Sequence, residues 1–164
     1  QATVYGRLDY CKSLYLGSSA YVLQRLQRVQ SAAAKAAVGV PGHASSSGAL
    51  AKLHWLPVLQ RVNFKSLCLV YKAINKLGPS YLQSKFSRYA PTRALRLSSA
   101  GLLKGPKFLK TRIGGRSFCV EASTLWNFLP LAVKNAPTLL LFRKLLQTHL
   151  FPLTSRVNFL LLYF

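Results

Sequence analysis

Two carboxylate side chains, Asp9 and Glu121, are all that the chain sets against 23 lysines and arginines. Intrachain ion pairs therefore cannot balance the formal charge of +21 over 164 residues, and the self-repulsion that results opposes compaction and attracts polyanions. A content of 51% hydrophobic residues is nevertheless far above the range in which high charge leaves a chain disordered. The sequence therefore predicts a single folded, strongly basic domain of ordinary size.

The stretch WLPVLQRVNFKSLCLVYKAINKLGP, residues 55–79, has the apolar periodicity of an amphipathic helix. At about 100° per residue, its cations fall within an arc of roughly 60° and its apolar residues gather on the opposite side. Pro57 suits a first helical turn, and Gly78 followed by Pro79 is typical of a helix end. The cationic stripe consists of Arg61, Lys65, Lys72 and Lys76, and the apolar face consists of Leu59, Val62, Leu67, Val70, Ala73, Ile74 and Leu77.

Further helices are predicted on both sides of this one, which makes the expected fold a mainly α, small helical bundle. Residues 21–38 place apolar side chains on one face, and residues 118–129 form a short helix that carries Trp126. Residues 137–151 contain a last amphipathic helix, with Thr138 after Pro137 as a suitable N-cap. The apolar face predicted for residues 21–38 consists of Val22, Leu26, Val29, Ala33 and Ala37. Residues 1–151 form the predicted domain, with a flexible loop at 39–48 and short helices at 49–54 and 80–89, and residues 152–164 form an apolar tail.

Residues 85–116 form a basic segment in which glycines and prolines interrupt any helical pattern. This segment is predicted to be rich in loops, and residues 102–118 leave room for one short β-hairpin with Pro106 at its edge. Its cations extend the helical stripe as candidate phosphate ligands. The candidate nucleic-acid-binding residues are Arg61, Lys65, Lys72, Lys76, Lys85, Arg88, Arg93, Arg96, Lys104, Lys107, Lys110, Arg112 and Arg116.

The sequence lacks the residue patterns that several kinds of catalysis and metal binding require. Paired-carboxylate hydrolysis and metal-dependent phosphoryl transfer need at least two acids brought together, and Asp9 and Glu121 lie near opposite ends of the chain. The three cysteines form no CxxC pair and are predicted to be buried small hydrophobes, and the histidines lack metal-ligand spacing. No glycine-rich phosphate loop precedes a helix. We therefore expect no catalytic residue, no metal site, no cofactor and no small-molecule substrate.

The sequence shows neither of the two features that would direct a chain into or across a membrane. No run approaches the roughly 18 apolar residues that a membrane span needs, and no signal peptide is visible. An intracellular location, nuclear or cytoplasmic, is favoured over secretion, and a membrane partner is disfavoured. The chain begins with Gln1 and contains no methionine, which indicates a piece of a longer translation product.

Seven short signatures follow one another in a fixed order along residues 6–151. They are GRLDYCKSL at 6–14, LQRLQRVQSAAAK at 23–35, LHWLPV at 53–58, FKSLCLVYKA at 64–73, GPSYL at 78–82, LWNFLP at 125–130 and FRKLLQTHLF at 142–151. Together they resemble the C-terminal region of non-LTR retrotransposon (LINE) polyproteins of the chicken-repeat type, the thumb and beyond, which follows the reverse transcriptase fingers and palm. The resemblance implies that the endonuclease and polymerase carboxylates lie upstream, so that no residue of this chain matches a catalytic position.

The leading hypothesis is a binding module that follows RNA or an RNA–DNA hybrid along its backbone. Cations on one face release counterions, and the aromatic residues among them can stack on exposed bases. Trp55 is favoured as a core residue over a stacking platform. Three alternatives stay open: a structural piece that packs on the upstream polymerase domain, a region that binds membrane surfaces through residues 138–151 and the apolar tail, and a translated relic without function. In a fourth interpretation the cations only solvate the core.

Overall fold

The computed structural model describes residues 10–90, 100–105 and 117–160, together with Gly6 and Gly115, and side chains as far as Phe151. These residues are mainly helical, which confirms the predicted fold class. The elements in chain order are a 3₁₀ turn (Lys12–Tyr15), α1 (Ala20–Val38), α2 (Ser46–Lys52), α3 (Val58–Ile74), α4 (Ser80–Gln83), α5 (Phe118–Asn127), α6 (Leu131–Lys134) and α7 (Leu139–Leu160).

Helix α3 is the centre of the bundle and contacts the 3₁₀ turn, α1, α4, α5 and α7. Its Val62 and Val70 are fully buried. The ring of Tyr71 stacks on Phe142 of α7 with 4.4 Å between centroids, and the ring of Trp126 of α5 also stacks on Phe142, at 5.9 Å. The Tyr71 hydroxyl donates a hydrogen bond of 2.7 Å to the carbonyl oxygen of Ala136, so this large core residue leaves no polar atom unsatisfied.

The ends of α3 differ from the prediction for residues 55–79. The helix begins after Pro57, and it ends before Gly78, in a Schellman turn at Lys76, whose φ of 58° is left-handed. In this turn Leu77 N donates to Lys72 O at 2.8 Å and Lys76 N donates to Ala73 O at 3.3 Å. Leu77 therefore lies outside the helix and is 59% exposed, and the predicted core residue Leu59 is also exposed.

The face that α1 buries is not the predicted one. Val22, Val29 and Ala37 are exposed, whereas Gln30 and Ala34 are buried. The reason is a pair of hydrogen bonds between α1 and the backbone at the start of α3. The peptide N–H of Val58 donates to Gln27 Oε1, and Gln30 Nε2 donates to Leu56 O, both at 2.9 Å. The start of α3 needs partners for its unpaired backbone groups, and glutamines of α1 provide them. A count of apolar residues cannot detect this requirement.

The other elements largely agree with the sequence pattern, with shifted ends. Helix α2 begins at Ser46, inside the loop predicted at 39–48, and Leu141 N donates to Thr138 Oγ1 at 3.2 Å, which confirms the predicted cap of α7. Helix α7 continues past Pro152 to Leu160, across the predicted start of the tail. The 3₁₀ turn and α6 were not predicted. Among the helices of the described residues, none combines the length and the apolarity that crossing a bilayer requires.

The basic segment is anchored to α5 where the structure describes it. Arg88 and Leu103 form an isolated antiparallel bridge, and Asn127 of α5 exchanges two hydrogen bonds with the backbone of Leu103. The indole of Trp126 donates to Gly101 O at 3.0 Å. Most of the hairpin predicted at 102–118 lies outside the described residues.

Candidate nucleic-acid interface

The predicted cationic stripe of α3 lies outside the core, as its periodicity requires. Lys65 is exposed, and Arg61 and Lys72 are half-buried. The fourth member, Lys76, does not continue the stripe along the helix because it is the left-handed residue of the Schellman turn. Three of the four predicted residues therefore share one side of α3.

The 3₁₀ turn adds Lys12 to this side of α3. Its side chain is only 6% exposed, and burial, followed by the charges of Arg61 and Lys65, lowers the pKa of Lys12 from 10.5 to about 7. Lys12 lines one pocket together with Arg61 and Lys65, which places it beside both cations of α3. Burial and the neighbouring cations disfavour the protonated form of this lysine, and an anion that approaches it would favour that form.

Helix α7 adds Arg143 beside the buried Cys68 of α3. Burial raises the pKa of the Cys68 thiol, while a hydrogen bond with Arg143 and the charges of Arg143, Lys65 and Lys72 oppose that rise. Lys65 therefore belongs to the surroundings of both Lys12 and Cys68 and connects the two groups of cations. We use the name α3 cationic surface for the set Lys12, Arg61, Lys65, Lys72 and Arg143.

A pocket of about 430 Å³ opens at the N-terminal half of this surface. Its buried wall includes Lys12 and Leu56, and its rim includes the exposed His54 and Lys65. We call it the Lys12 pocket. Its lining residues are Lys12, His54, Trp55, Leu56, Arg61, Phe64, Lys65 and Gln147.

The Lys12 pocket gives Trp55 two environments. The residue is half-buried and packs against a small cluster formed by Ala34, Ala49 and Leu50, so the expectation of a core role is partly met. It also lines the pocket beside the cations. Packing against this cluster thus holds Trp55 in place at the wall of the cavity.

The remaining predicted residues lie elsewhere. Lys85, Arg88 and Lys104 are exposed, and the bridge between Arg88 and Leu103 brings the last two side by side, with Lys104 N donating to Ser87 O at 2.9 Å. Arg88 also lines a separate cavity of about 270 Å³ with Lys134, whose pKa is lowered by burial. The predicted residues that lie outside the described part of the chain are Arg93, Arg96, Lys107, Lys110, Arg112 and Arg116.

The chain offers few groups for acid–base or metal chemistry. Glu121 lies half-buried in the first turn of α5, and Asp9 is outside the described residues. Within residues 10–90, 100–105 and 117–151, no three His, Cys, Asp or Glu side chains come together as a metal site requires. Of the three cysteines, Cys68 is buried as predicted, whereas Cys119 is half-buried and Cys11 is exposed.

Sequence reasoning missed Lys12 and Arg143 as parts of the α3 cationic surface, and it missed His54, Phe64 and Gln147 as residues that line the Lys12 pocket. Because Arg143 follows the core residue Phe142 in an amphipathic pattern, the sequence could predict that it lies next to the core face of its helix. The sequence could not predict that this position is close to α3. Lys12 lies in a 3₁₀ turn of four residues, which has no periodicity to read. The pocket joins elements far apart in the chain, and periodicity reports only positions along one element.

Comparison with known proteins finds no matching family model, no matching curated protein and no matching solved structure.

Proposed function

We propose that this chain is a non-catalytic basic module that binds RNA or an RNA–DNA hybrid through its phosphate backbone. The observation that carries the proposal is the α3 cationic surface: Lys12, Arg61 and Lys65 line one pocket, and Arg143 of α7 forms a hydrogen bond with Cys68 of α3. Repulsion among them and the burial of Lys12 both destabilise the isolated chain. A polyanion laid across the surface would relieve both effects, since each phosphate contact also releases counterions.

The resemblance to LINE polyproteins gives this proposal a setting. In that setting the chain is the part that follows the polymerase domain, holds template RNA or the RNA–DNA product near it, and works in the nucleus or cytoplasm. With two carboxylates in the whole sequence, the catalytic acids would belong to the upstream domain.

One group of residues favours a second role, packing on that upstream domain. Phe128, which follows α5, Leu131 of α6 and Leu140 of α7 are exposed by 81%, 47% and 67%. Large apolar residues close together on a surface are typical of protein contacts. This role is compatible with nucleic-acid binding because these residues lie outside the α3 cationic surface.

The test compares two variants that remove the same charge. Arg61, Lys65 and Lys72 change to glutamine in one, and Arg25, Arg28 and Lys52, which are exposed on α1 and α2, change to glutamine in the other. Affinity for labelled single-stranded RNA is measured between 50 and 200 mM salt. We expect the first variant to weaken binding for every sequence and to flatten the salt slope by about two units, at roughly 0.7 per phosphate contact.

The control variant should change the slope much less, because its residues contribute only long-range charge. Equal effects of the two variants would show that binding follows net charge alone and would overturn the assignment to α3. Anionic lipid vesicles serve as a separate arm, in which stronger binding than to RNA would favour the membrane alternative. Circular dichroism on each variant checks that the helices are intact.

A further inference from the structure

The Lys12 pocket contains more than phosphate binding requires. A surface that follows a backbone needs only exposed cations, whereas this pocket combines cations with the rings of Trp55 and Phe64 and the apolar side chain of Leu56. Its volume of about 430 Å³ lies within the range of small-ligand sites, which is roughly 300–1,000 Å³. A ligand that fits it must carry both an anionic group and a flat apolar one.

The fold holds the aromatic wall of the pocket firmly. Helix α2 ends in a Schellman turn in which His54 takes a left-handed φ of 51° without being glycine. Trp55 N donates to Leu50 O at 2.8 Å, and His54 N donates to Ala51 O at 3.0 Å. The turn fixes the backbone of Trp55, and the cluster of Ala34, Ala49 and Leu50 supports its ring. A left-handed non-glycine residue is strained, and such strain concentrates at functional sites.

The polar groups of the pocket select an anion. Lys12, Arg61 and Lys65 present two ammonium groups and a guanidinium, and the described residues that line the cavity include no carboxylate. Lys12 is buried, so its protonated form gains most from a negative group that enters. Gln147 of α7 adds an amide, which can donate to and accept from a base edge.

We propose that the Lys12 pocket binds one unstacked nucleotide of a single strand, with its phosphate toward Lys12, Arg61 and Lys65 and its base against Trp55 or Phe64. This inference rests on the proposed function and names the part of the nucleic acid that its surface selects. Backbone binding alone accepts duplex and single strand, whereas a pocket for a base requires an unpaired nucleotide. The remaining cations of the surface, Lys72 and Arg143, would hold the neighbouring phosphates.

The experiment uses adenosine 5′-monophosphate as the probe of the pocket, with adenosine and inorganic phosphate as its two halves. The sequence has two tryptophans, so Trp126→Phe leaves Trp55 as the reporter of the site. We expect the monophosphate to quench Trp55 fluorescence saturably and each half to bind at least about tenfold more weakly, because either half loses the stacking or the charge contribution. If Trp126→Phe does not fold, displacement of a labelled single-stranded RNA from the unaltered chain replaces the fluorescence signal.

Two variants locate the ligand. Phe64→Ala and Lys12→Met should each weaken the monophosphate about tenfold or more, whereas Lys52→Gln, an exposed lysine outside the pocket, should leave its affinity within about twofold. Inorganic phosphate that binds as tightly as the monophosphate would reduce the site to an anion site and overturn the inference.

A competition experiment distinguishes a site for a nucleotide within a single strand from a site for a free nucleotide. Single-stranded RNA should displace the monophosphate, and blunt duplex RNA should displace it much less at equal phosphate concentration. Failure of single-stranded RNA to compete would make the pocket a free-nucleotide site and refute the inference. Salt-sensitive RNA binding without any saturable effect of the monophosphate would refute the pocket alone, and absence of RNA binding at low salt would refute the proposed function as well.

Discussion

Lys76 and His54 each end a helix in a left-handed conformation that glycine adopts more easily. Each belongs to a Schellman turn, and each lies near one end of α3, since His54 precedes the helix and Lys76 follows it. At the end of α1 the corresponding residue is Gly39, whose φ of 71° costs a glycine nothing. The two strained turns therefore lie next to α3, the helix that carries the cationic surface.

The strain at Lys76 gives a first prediction. Lys76→Gly should raise the free energy of unfolding by about 0.5–1 kcal/mol, because a left-handed conformation costs a non-glycine residue about 1–2 kcal/mol and the greater freedom of glycine in the unfolded chain returns part of the gain. Lys76→Gln keeps the strain and removes only the charge, so it should gain little. Urea denaturation of both variants decides the matter, and an equal gain in both would assign the effect to charge.

Lys12 gives a second prediction, for pH dependence. Because its pKa falls from 10.5 to about 7 in the folded chain, the unfolded chain binds more protons between these values, and stability should rise as pH increases through that window. The penalty of the buried ammonium is fully present below pH 7. The other charged or titratable residues that line the same pocket are Arg61 and Lys65 of α3 and His54 of the preceding turn.

Lys12→Met isolates this effect from the other titrating groups. Between pH 7 and 9, the unfolding free energy of the unaltered chain should rise relative to that of Lys12→Met, by at most about 1.4 kcal/mol per pH unit. Urea titrations at each pH measure the difference. If the unfolding free energies of the two proteins changed in parallel with pH, this result would contradict a lowered pKa of a buried Lys12.

At the scale of elements, the pairing of α1 with α3 depends on glutamines more than on the apolar pattern. Gln27 accepts from Val58 N and Gln30 donates to Leu56 O, so the two side chains satisfy backbone groups on either side of Pro57. The sequence predicted both helices to within a few residues because helix length and caps are local signals. It did not predict which side of α1 faces α3, because that choice depends on the polar requirements of another element.

A third prediction tests this pairing. Gln27→Ala should lower the free energy of unfolding by about 1 kcal/mol, since Val58 N loses its acceptor at a half-buried site. Gln24→Ala, on an exposed side of the same helix, removes a glutamine without removing this contact and should change stability by less than about 0.5 kcal/mol. Similar losses in both variants would contradict this account, because Gln24 has no part in the contact and alanine is a better helix former than glutamine.

The whole molecule carries a charge that its own residues cannot balance. With +21 over 164 residues, repulsion acts across the bundle, and salt screens it over a Debye length of about 10 Å at 0.1 M. The sequence was sufficient to predict the sign and the excess. It was not sufficient to predict the α3 cationic surface, because Lys12 and Arg143 reach α3 only through tertiary packing.

A fourth prediction follows for the unbound chain. Its melting temperature should rise by several degrees between 0.05 and 0.5 M NaCl, since a gain of one kcal/mol moves a domain of this size by roughly 2–4 °C. The variant with glutamine at 61, 65 and 72 should show a smaller rise, because part of the screened repulsion is already absent. Melting is followed by circular dichroism, and a flat or falling curve for the unaltered chain would contradict the electrostatic account.

The stack of Tyr71 on Phe142 has a consequence for how the chain is made. The two rings are joined only after synthesis has passed α7, and the acceptor of the Tyr71 hydroxyl, Ala136, also comes late. A nascent chain on the ribosome therefore leaves uncovered the part of α3 that packs on α5 and α7 until these helices emerge, and long-range contacts of this kind close slowly. We expect the cations of α3 to be attracted to the polyanionic ribosomal RNA during that interval, which would help to keep the unfinished helix in solution.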